Sequence, residues 1–130
     1  MVKILHKVMF VLSRKLIAQT LTQAIKGKPD MDSLIEYNYK NAEISAGIHK
    51  PEITLMEIPE RPGNPEKEIL EVCAKIKQSS PECKIVLLCP EDNRDGISAV
   101  VEARKANEID DFIFYDASLA YLTAKLESLC

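Results

Sequence analysis

The chain has 130 residues, a net charge of −3, 46% hydrophobic and 28% charged residues, values typical of a globular protein. This length predicts a single domain, residues 1–130, that can bury a core without metal or disulfide support. No apolar run approaches the roughly 18 residues of a membrane span. The four cysteines show no CxxC spacing, which favours a reduced, cytoplasmic protein over a disulfide framework.

The charge is distributed unevenly along the chain. No acidic residue precedes Asp30, whereas six basic residues do. A basic segment can bind nucleic acid or an acidic protein surface. Because no aromatic residues alternate with the lysines as a base-stacking platform requires, a solvated rim is favoured and nucleic acid is not expected as a partner.

Strand-like and helix-like patterns alternate five times, with no repeat or long linker. The first strand is predicted from Lys7 to Leu12, and a helix ended by Gly27 and Pro29 follows it. A second strand is indicated by three alternating positions, Ile35, Tyr37 and Tyr39. A short second helix is predicted over residues 41–49. The apolar face of the first helix comprises Ile17, Leu21, Ala24 and Ile25.

The third strand carries a candidate functional acid. Ile53, Leu55, Met56 and Ile58 form an apolar run typical of a strand buried on both faces, as in a parallel sheet between helices. Glu57 lies at the end of this run, before a Pro/Gly-rich turn. Since parallel sheets place functional groups at the carboxyl ends of their strands, Glu57 is predicted to lie at the functional edge.

Two further strand–helix units complete the chain. Asn64 and Pro65 indicate a helix start, supported by Glu66 and Glu68 in the first turn. A buried fourth strand is predicted over residues 84–89, and Asp92 or Asn93 opens the next helix. A fifth strand, residues 112–114, precedes a last helix capped by Asp116 or Ser118. The predicted apolar faces of these three helices are Ile69, Val72, Cys73 and Ile76; Ile97, Val100 and Val101; and Leu119, Leu122, Leu126 and Leu129.

Five such units joined by right-handed crossovers predict an α/β fold, a three-layer αβα sandwich around a five-stranded parallel sheet. The flavodoxin-like strand order 2-1-3-4-5 is the expected arrangement at this size.

Three segments resemble the receiver domain of two-component response regulators, the CheY-like superfamily. Glu52-Ile-Thr-Leu-Met-Glu57-Ile is similar, without a gap, to the family's Asp-Leu-Val-Leu-Leu-Asp-Ile, in which the second Asp accepts phosphate. Lys84-Ile-Val-Leu-Leu-Cys89 resembles the fourth strand of the family. Asp110-Asp111-Phe112-Ile113-Phe114 resembles its Asp-Asp-Tyr-Leu-Thr. The resemblance covers the whole chain and implies the same fold.

The phosphotransfer residues of that family are not matched. Receiver phosphorylation needs three carboxylates around one Mg²⁺, but two of these positions match Leu12 and Ser13. The family's Thr or Ser on the fourth strand matches Cys89, and its Lys after the fifth strand matches Tyr115. Together with Glu57 these residues would form a degenerate acceptor pocket, without metal, cofactor or catalytic role. Phe112 occupies the position of the aromatic that swings inward when receivers are activated, or is simply a core or edge aromatic.

Several interpretations of these residues remain open from sequence. Glu57 is expected to be a partly exposed carboxylate paired with Arg14 or Arg61, with a permanent mimic of the phosphorylated state and an unrecognised catalytic use as alternatives. Cys89 is expected to be a buried hydrophobic residue rather than a reactive thiol. Tyr115 either fills the pocket or contacts a partner. His6 and His49 are expected to be surface residues rather than a metal pair.

The leading functional hypothesis is a single-domain, response-regulator-like module without an output domain, which signals or acts as a scaffold independently of phosphorylation through contacts with a protein partner. The alternative is a binder of small anionic ligands, or an enzyme, on a flavodoxin-like scaffold, with Arg14 and Lys15 holding the anion. A fragment of a larger regulator is a third option. A homodimer is predicted through the face of the fourth helix, fifth strand and fifth helix, with candidate residues Arg104, Lys105, Asp110, Asp111, Lys125 and Glu127.

Overall fold

The computed structural model describes residues 5–60, 63–90, 94–115 and 117–130. Its elements alternate strictly between strand and helix, apart from a short 3₁₀ helix at Tyr39–Asn41. The strands are β1 (His6–Val11), β2 (Met31–Glu36), β3 (Ile53–Glu57), β4 (Lys84–Cys89) and β5 (Asp111–Phe114). The helices are α1 (Lys15–Lys26), α2 (Ala42–His49), α3 (Pro65–Ser79), α4 (Arg94–Lys105) and α5 (Leu119–Leu129).

The five strands form one parallel sheet in the order β2-β1-β3-β4-β5. The predicted fold class and strand order are therefore confirmed. Val11 of β1 pairs with Met56 of β3, and Glu57 pairs with Leu88 of β4. The carboxyl ends of β1, β3 and β4 thus meet at one edge of the sheet.

The core consists of two layers, one on each face of the sheet. On the first face, called the α1/α5 face, side chains of α1 and α5 cover Phe10, Leu55 and Leu88. On the second, the α2/α3/α4 face, side chains of α2, α3 and α4 cover Met56 and Leu87. Because successive residues of a strand point to opposite faces, Ile53 and Leu55 of β3 pack toward α1 and α5. Glu57 follows in the same series, so its side chain is directed to the α1/α5 face.

The prediction for the second strand was wrong in position. β2 begins at Met31 and ends at Glu36, so Tyr37 and Tyr39 lie outside it. The backbone turns there into the 3₁₀ helix because the side chain of Asn38 accepts a hydrogen bond from the Lys40 N–H. This turn carries the Tyr39 hydroxyl to the end of β3, where it donates to the carbonyl of Glu57 at 2.7 Å.

Most predicted helix features are present. Pro65 starts α3, and the Ser118 side chain caps α5 by accepting from the Tyr121 N–H. Asn64 occupies the N-cap position of α3, but only its backbone carbonyl accepts a bond, from Lys67, among the described residues. Leu119 does not face the core as predicted: it is the first residue of α5 and is 39% exposed. Asp92, Asn93 and Asp116 lie outside the described residues.

None of the helices in the described ranges is both long enough and apolar enough to cross a bilayer.

Candidate functional site

The candidate site is built around Glu57, the last residue of β3. The side chain is fully buried, with 0% exposure. The expectation of a partly exposed carboxylate was therefore wrong. A buried charge costs several kcal/mol unless hydrogen bonds and an opposite charge compensate it, so the surroundings of this carboxylate determine what the site can do.

Within the part of the chain that the structure describes, two segments make five donor contacts with the carboxylate. Its Oε1 accepts from the backbone N–H and the hydroxyl of Ser13, each at 2.7 Å, and from the Arg14 N–H at 3.3 Å. Its Oε2 accepts from the Tyr115 hydroxyl at 2.5 Å and lies 3.3 Å from Nε of Arg14. Glu57 therefore has both hydrogen-bond donors and a counter-ion, which were not evident from the sequence.

The start of α1 is suited to hold this carboxylate. The first N–H groups of a helix have no partner within the helix, and the helix dipole places partial positive charge there. The first turn of α1 contains no acidic residue, and Arg14 at the N-cap position makes no side-chain cap among the described residues. Glu57 of β3 places a carboxylate at this end of the helix, where it accepts from the N–H groups of Ser13 and of the N-cap residue Arg14.

Arg14 connects this buried group to the surface. Its guanidinium contacts Glu57 through Nε and Glu60 through Nη2, at 3.2 Å. It also lies over the ring of Tyr115, 4.8 Å from the centroid. The side chain is 45% exposed, so it closes the site from the solvent side. Of the two partners considered for Glu57, Arg14 makes the ion pair; Arg61 lies outside the described residues.

Tyr115 is the second side chain that encloses the carboxylate. Its hydroxyl lies 3.0 Å from the carbonyl oxygen of Ile58 as well as near Glu57. Burial, and then the hydrogen bond to and negative charge of Glu57, raise the pKa of Tyr115 well above its usual range. The phenol therefore stays protonated and donates to the carboxylate at neutral pH. The ring fills the pocket, as one of the two interpretations of Tyr115 required.

The remaining two residues of the predicted pocket take no part in the cluster of hydrogen bonds. Leu12 is fully buried in the apolar core of the α1/α5 face. Cys89 packs in the core of the opposite α2/α3/α4 face, because its position in β4 alternates with that of Leu88. Burial raises the pKa of the Cys89 thiol to about 12, which agrees with a structural cysteine.

Sequence reasoning missed Tyr39, whose hydroxyl bonds the Glu57 carbonyl, because this residue was assigned to a strand. The only sequence sign was Asn38, a residue that favours turns, immediately before it.

Phe112, at the position of the switch aromatic, is half-buried against the core of the α2/α3/α4 face. Its ring contacts that of Phe114 edge to face, with centroids 5.8 Å apart. In this structure Phe112 therefore packs as an ordinary core aromatic residue.

Three of the predicted interface residues form a continuous charged group. Asp111 of β5 contacts Arg104 of α4 at 3.5 Å and Lys125 of α5 at 2.9 Å. Partial burial raises the pKa of Asp111, but the hydrogen bond from Lys125 and the positive charges of Lys125 and Arg104 have the larger effect and hold its pKa below the usual value. Lys105 pairs with Glu102 one turn earlier in α4 and is 70% exposed.

Two other predicted interface residues are directed elsewhere. Asp110 accepts from Lys77 of α3 at 2.7 Å and from the Ile85 N–H of β4 at 2.8 Å. Glu127 pairs with Lys28, just after α1, at 2.7 Å. Since these carboxylates are engaged by other parts of the fold, the face of α4, β5 and α5 retains Arg104, Lys105, Asp111 and Lys125.

Comparison with known proteins supports the fold assignment. No protein-family model and no curated protein matches the sequence. Solved structures do match. A response regulator from Thermotoga maritima has a TM-score of 0.76 at 19% identity, over 97% of this chain and 98% of that one. The signal receiver domain of a Luxo repressor protein from Vibrio parahaemolyticus has a TM-score of 0.76 at 13% identity, over 97% and 90% of the two chains.

A third match is named differently. An adenylate cyclase structure from Rhodopirellula baltica has a TM-score of 0.79 at 14% identity, over 97% of this chain and 87% of that one. At such identities the likeness concerns the fold alone. The protein therefore has the receiver-domain fold of two-component response regulators, as the resemblance in its sequence implies.

Proposed function

We propose that this protein is a signalling or scaffold module with the receiver fold, that it acts through contacts with other proteins, and that it does so without phosphorylation and without catalysis. The enclosure of Glu57 carries this proposal. An acceptor carboxylate must present a free oxygen to the incoming phosphoryl group, next to a cation that neutralises both. Here both oxygens accept hydrogen bonds inside the protein, and the side chain is 0% exposed.

The chemistry around Glu57 also suits an anion rather than a metal ion. A small hard cation such as Mg²⁺ requires several oxygen ligands. Among the described residues, the groups that bond this carboxylate are two backbone N–H groups, two hydroxyls and a guanidinium. A cation placed among them would meet the positive charge of Arg14 and the dipole of α1.

The proposed role of Glu57 is to hold one conformation. The carboxylate ties the loop before α1, the end of β3 and the segment after β5 to one point. In receivers these segments surround the phosphorylation site; in this chain an internal charge would fix them permanently. A permanently fixed conformation favours a constitutive module over a switch. In this proposal Glu57 mimics the phosphorylated state with a charge that is buried inside the protein.

A phosphodonor provides the direct test. The protein is incubated with acetyl phosphate and Mg²⁺, with a conventional receiver domain as positive control, and analysed by intact mass and amide NMR spectra. We expect no phosphoryl adduct and no change in the spectrum. Glu57→Asp should also stay unmodified, because the two acids of the metal site are still missing. An adduct on Glu57 would overturn the proposal.

For the protein contact, we propose self-association through the face of α4, β5 and α5. A two-fold contact brings each patch against its own copy, so a patch of mixed sign can be complementary to itself. Sedimentation velocity should show a concentration-dependent dimer that Lys105→Glu weakens. The matched control Lys75→Glu changes an exposed lysine on α3, away from this face, and should leave the dimer unchanged. A strict monomer at high concentration would refute the dimer but not the wider proposal.

A further inference from the structure

Three side chains of metal-binding types meet at the amino-terminal edge of the sheet, opposite the edge that holds Glu57. His6 begins β1, Glu52 immediately precedes β3, and Cys130 follows α5. One candidate ligand atom from each lies within 4.8 Å of the others. Nδ1 of His6 is 2.9 Å from Oε2 of Glu52. The three residues are separated by up to 124 positions in sequence, so only the fold brings them together.

The backbone holds the positions of His6 and Glu52 firmly. The His6 N–H donates to the Asp30 carbonyl at 2.8 Å. The Glu52 N–H donates to the Lys7 carbonyl at 2.9 Å, and the Glu52 carbonyl accepts from the Lys84 N–H at 3.0 Å. The first bond extends the pairing of β1 with β2, and the other two extend the pairing of β3 with β1 and β4, so both side chains start from fixed points on the sheet.

The end of α5 is attached to the same edge. Nζ of Lys84 donates to the Leu129 carbonyl at 2.7 Å, and the Cys130 N–H donates to the Glu127 carbonyl at 3.2 Å. Cys130 is exposed, and the side chains of His6 and Glu52 are 26% and 39% exposed. The cluster is therefore anchored by the fold and open to an ion from solvent.

We propose that His6, Glu52 and Cys130 form a binding site for Zn²⁺ or a similar divalent transition-metal ion. An imidazole nitrogen, a carboxylate oxygen and a thiolate sulfur are the three ligand types that zinc takes in proteins, at about 2.0 to 2.3 Å. Tetrahedral bonds of that length place ligand atoms roughly 3.3 to 3.8 Å apart. The observed separations, with an upper limit of 4.8 Å, lie close to this range. A water molecule would supply the fourth ligand.

The charge and proton balance of the step is simple. The Cys130 thiol releases its proton to solvent, the imidazole binds as the neutral base, and Glu52 binds as the carboxylate, so two negative ligands neutralise the dication. Burial, and then the hydrogen bond to Glu52 and its charge, raise the pKa of the metal-free Cys130 thiol to about 11. Asp30 acts in the same direction and Lys84 in the opposite one. A bound cation would reverse the unfavourable effect of Glu52, because thiolate and carboxylate would then share one positive centre.

The competing explanation is that His6 and Glu52 form only an ion pair. In that case Cys130 takes no part in metal binding, and removal of its sulfur does not change the affinity for the metal ion. Replacement of the thiol therefore separates the two explanations, and since Cys130 is exposed, Cys130→Ser is expected to leave the fold intact.

Cobalt(II) is the probe for the test, used on the 130-residue chain without an affinity tag. A site with a thiolate ligand gives near-ultraviolet sulfur-to-cobalt charge-transfer absorption, and tetrahedral geometry gives strong visible bands. We expect both to appear at one equivalent per chain and to disappear when Zn²⁺ is added. Cys130→Ser should abolish the charge-transfer band, and His6→Ala and Glu52→Gln should weaken binding at least about tenfold.

Two matched controls use similar residues outside the cluster. His49→Ala and Glu82→Gln replace an exposed histidine and an exposed glutamate and should bind Co²⁺ as the unchanged protein does. The same affinity and spectrum in Cys130→Ser would overturn the proposal. So would a spectrum without the charge-transfer band in the unchanged protein.

Thermal unfolding gives a second, independent readout. A ligand that binds only the folded state stabilises it, and an excess of Zn²⁺ of about a hundredfold over Kd should raise Tm by roughly 5 to 10 °C. Cys130→Ser should remove most of this rise. An equal rise in the variant would contradict the site. Neither outcome depends on the behaviour of Glu57 toward phosphodonors.

Discussion

Tyr115→Phe tests whether the enclosure of Glu57 stabilises the fold. The substitution keeps the ring, which packs on the α1/α5 face, and removes the hydroxyl that donates to the buried carboxylate. Hydrogen bonds to charged groups contribute about 1.5 to 3 kcal/mol. Because Arg14 and Ser13 still contact the carboxylate, we expect a loss in the lower half of that range, about 1.5 to 2 kcal/mol.

Urea denaturation at neutral pH measures this loss. The midpoint should fall while the slope m stays the same, since the surface exposed on unfolding is unchanged. Two variants calibrate the result. Tyr39→Phe removes a bond to the neutral carbonyl of Glu57 and should cost about 0.5 to 1.5 kcal/mol. Tyr121→Phe alters a tyrosine that is 53% exposed and should change stability by less than about 0.5 kcal/mol.

The same variant has a defined pH dependence. The pKa of Tyr115 is higher in the folded state than in the unfolded state, where it is near 10. The contribution of Tyr115 to the free energy of unfolding is therefore complete below about pH 10 and declines as the pH rises above that value. Stability of the unchanged protein should then fall by up to about 1.4 kcal/mol per pH unit from this group, and Tyr115→Phe should lack this part of the decline. A neutral-pH loss no larger than that of Tyr121→Phe would refute the reasoning.

Three further predictions concern other parts of the molecule. Asp111→Asn should lower the free energy of unfolding by about 0.5 to 1.5 kcal/mol at pH 7, a range reduced because its cationic partners are exposed. Chemical denaturation at lower pH should show this difference vanish below the lowered pKa of Asp111, because the native carboxyl is then protonated as well. Alkylation with iodoacetamide at mild pH should label Cys130 alone in the folded protein and all four cysteines in urea, and labelling of Cys89 without denaturant would contradict its burial. Glu57→Gln should destabilise the protein more than Tyr115→Phe does, by about 2 to 4 kcal/mol. The substitution removes the charge that Arg14 and the start of α1 compensate, and it turns an amide N–H₂ toward other donors. A smaller loss in urea denaturation would show that the buried charge is not stabilising.

The architecture was largely readable from sequence because its causes are local. The four hydrophobic residues Ile85 to Leu88 between Lys84 and Cys89 predicted β4 with the observed bounds, and Pro65 predicted the start of α3. The absence of any acid before Asp30 is also evident from sequence alone, and it is the reason why the sequence does not predict a conventional magnesium site. The error at β2 arose because alternation at Tyr37 and Tyr39 is equally compatible with a turn, and the capping bond from Asn38 decides between them.

The state of Glu57 was decided only by the tertiary structure. A pattern of residues shows that an acid stands at the end of a strand, but the free energy of burying its charge depends on donors that lie 43 to 58 residues away in sequence. The direction of Cys89, away from the pocket, follows from its register in the sheet. The meeting of His6 with Cys130 follows from the packing of α5 next to α1 on the α1/α5 face of the sheet. Sequence alone showed that no acidic residue stands in or directly after the first strand. The fold determined that Glu57 is held by Ser13, Arg14 and Tyr115, because only contacts between distant segments compensate a buried charge.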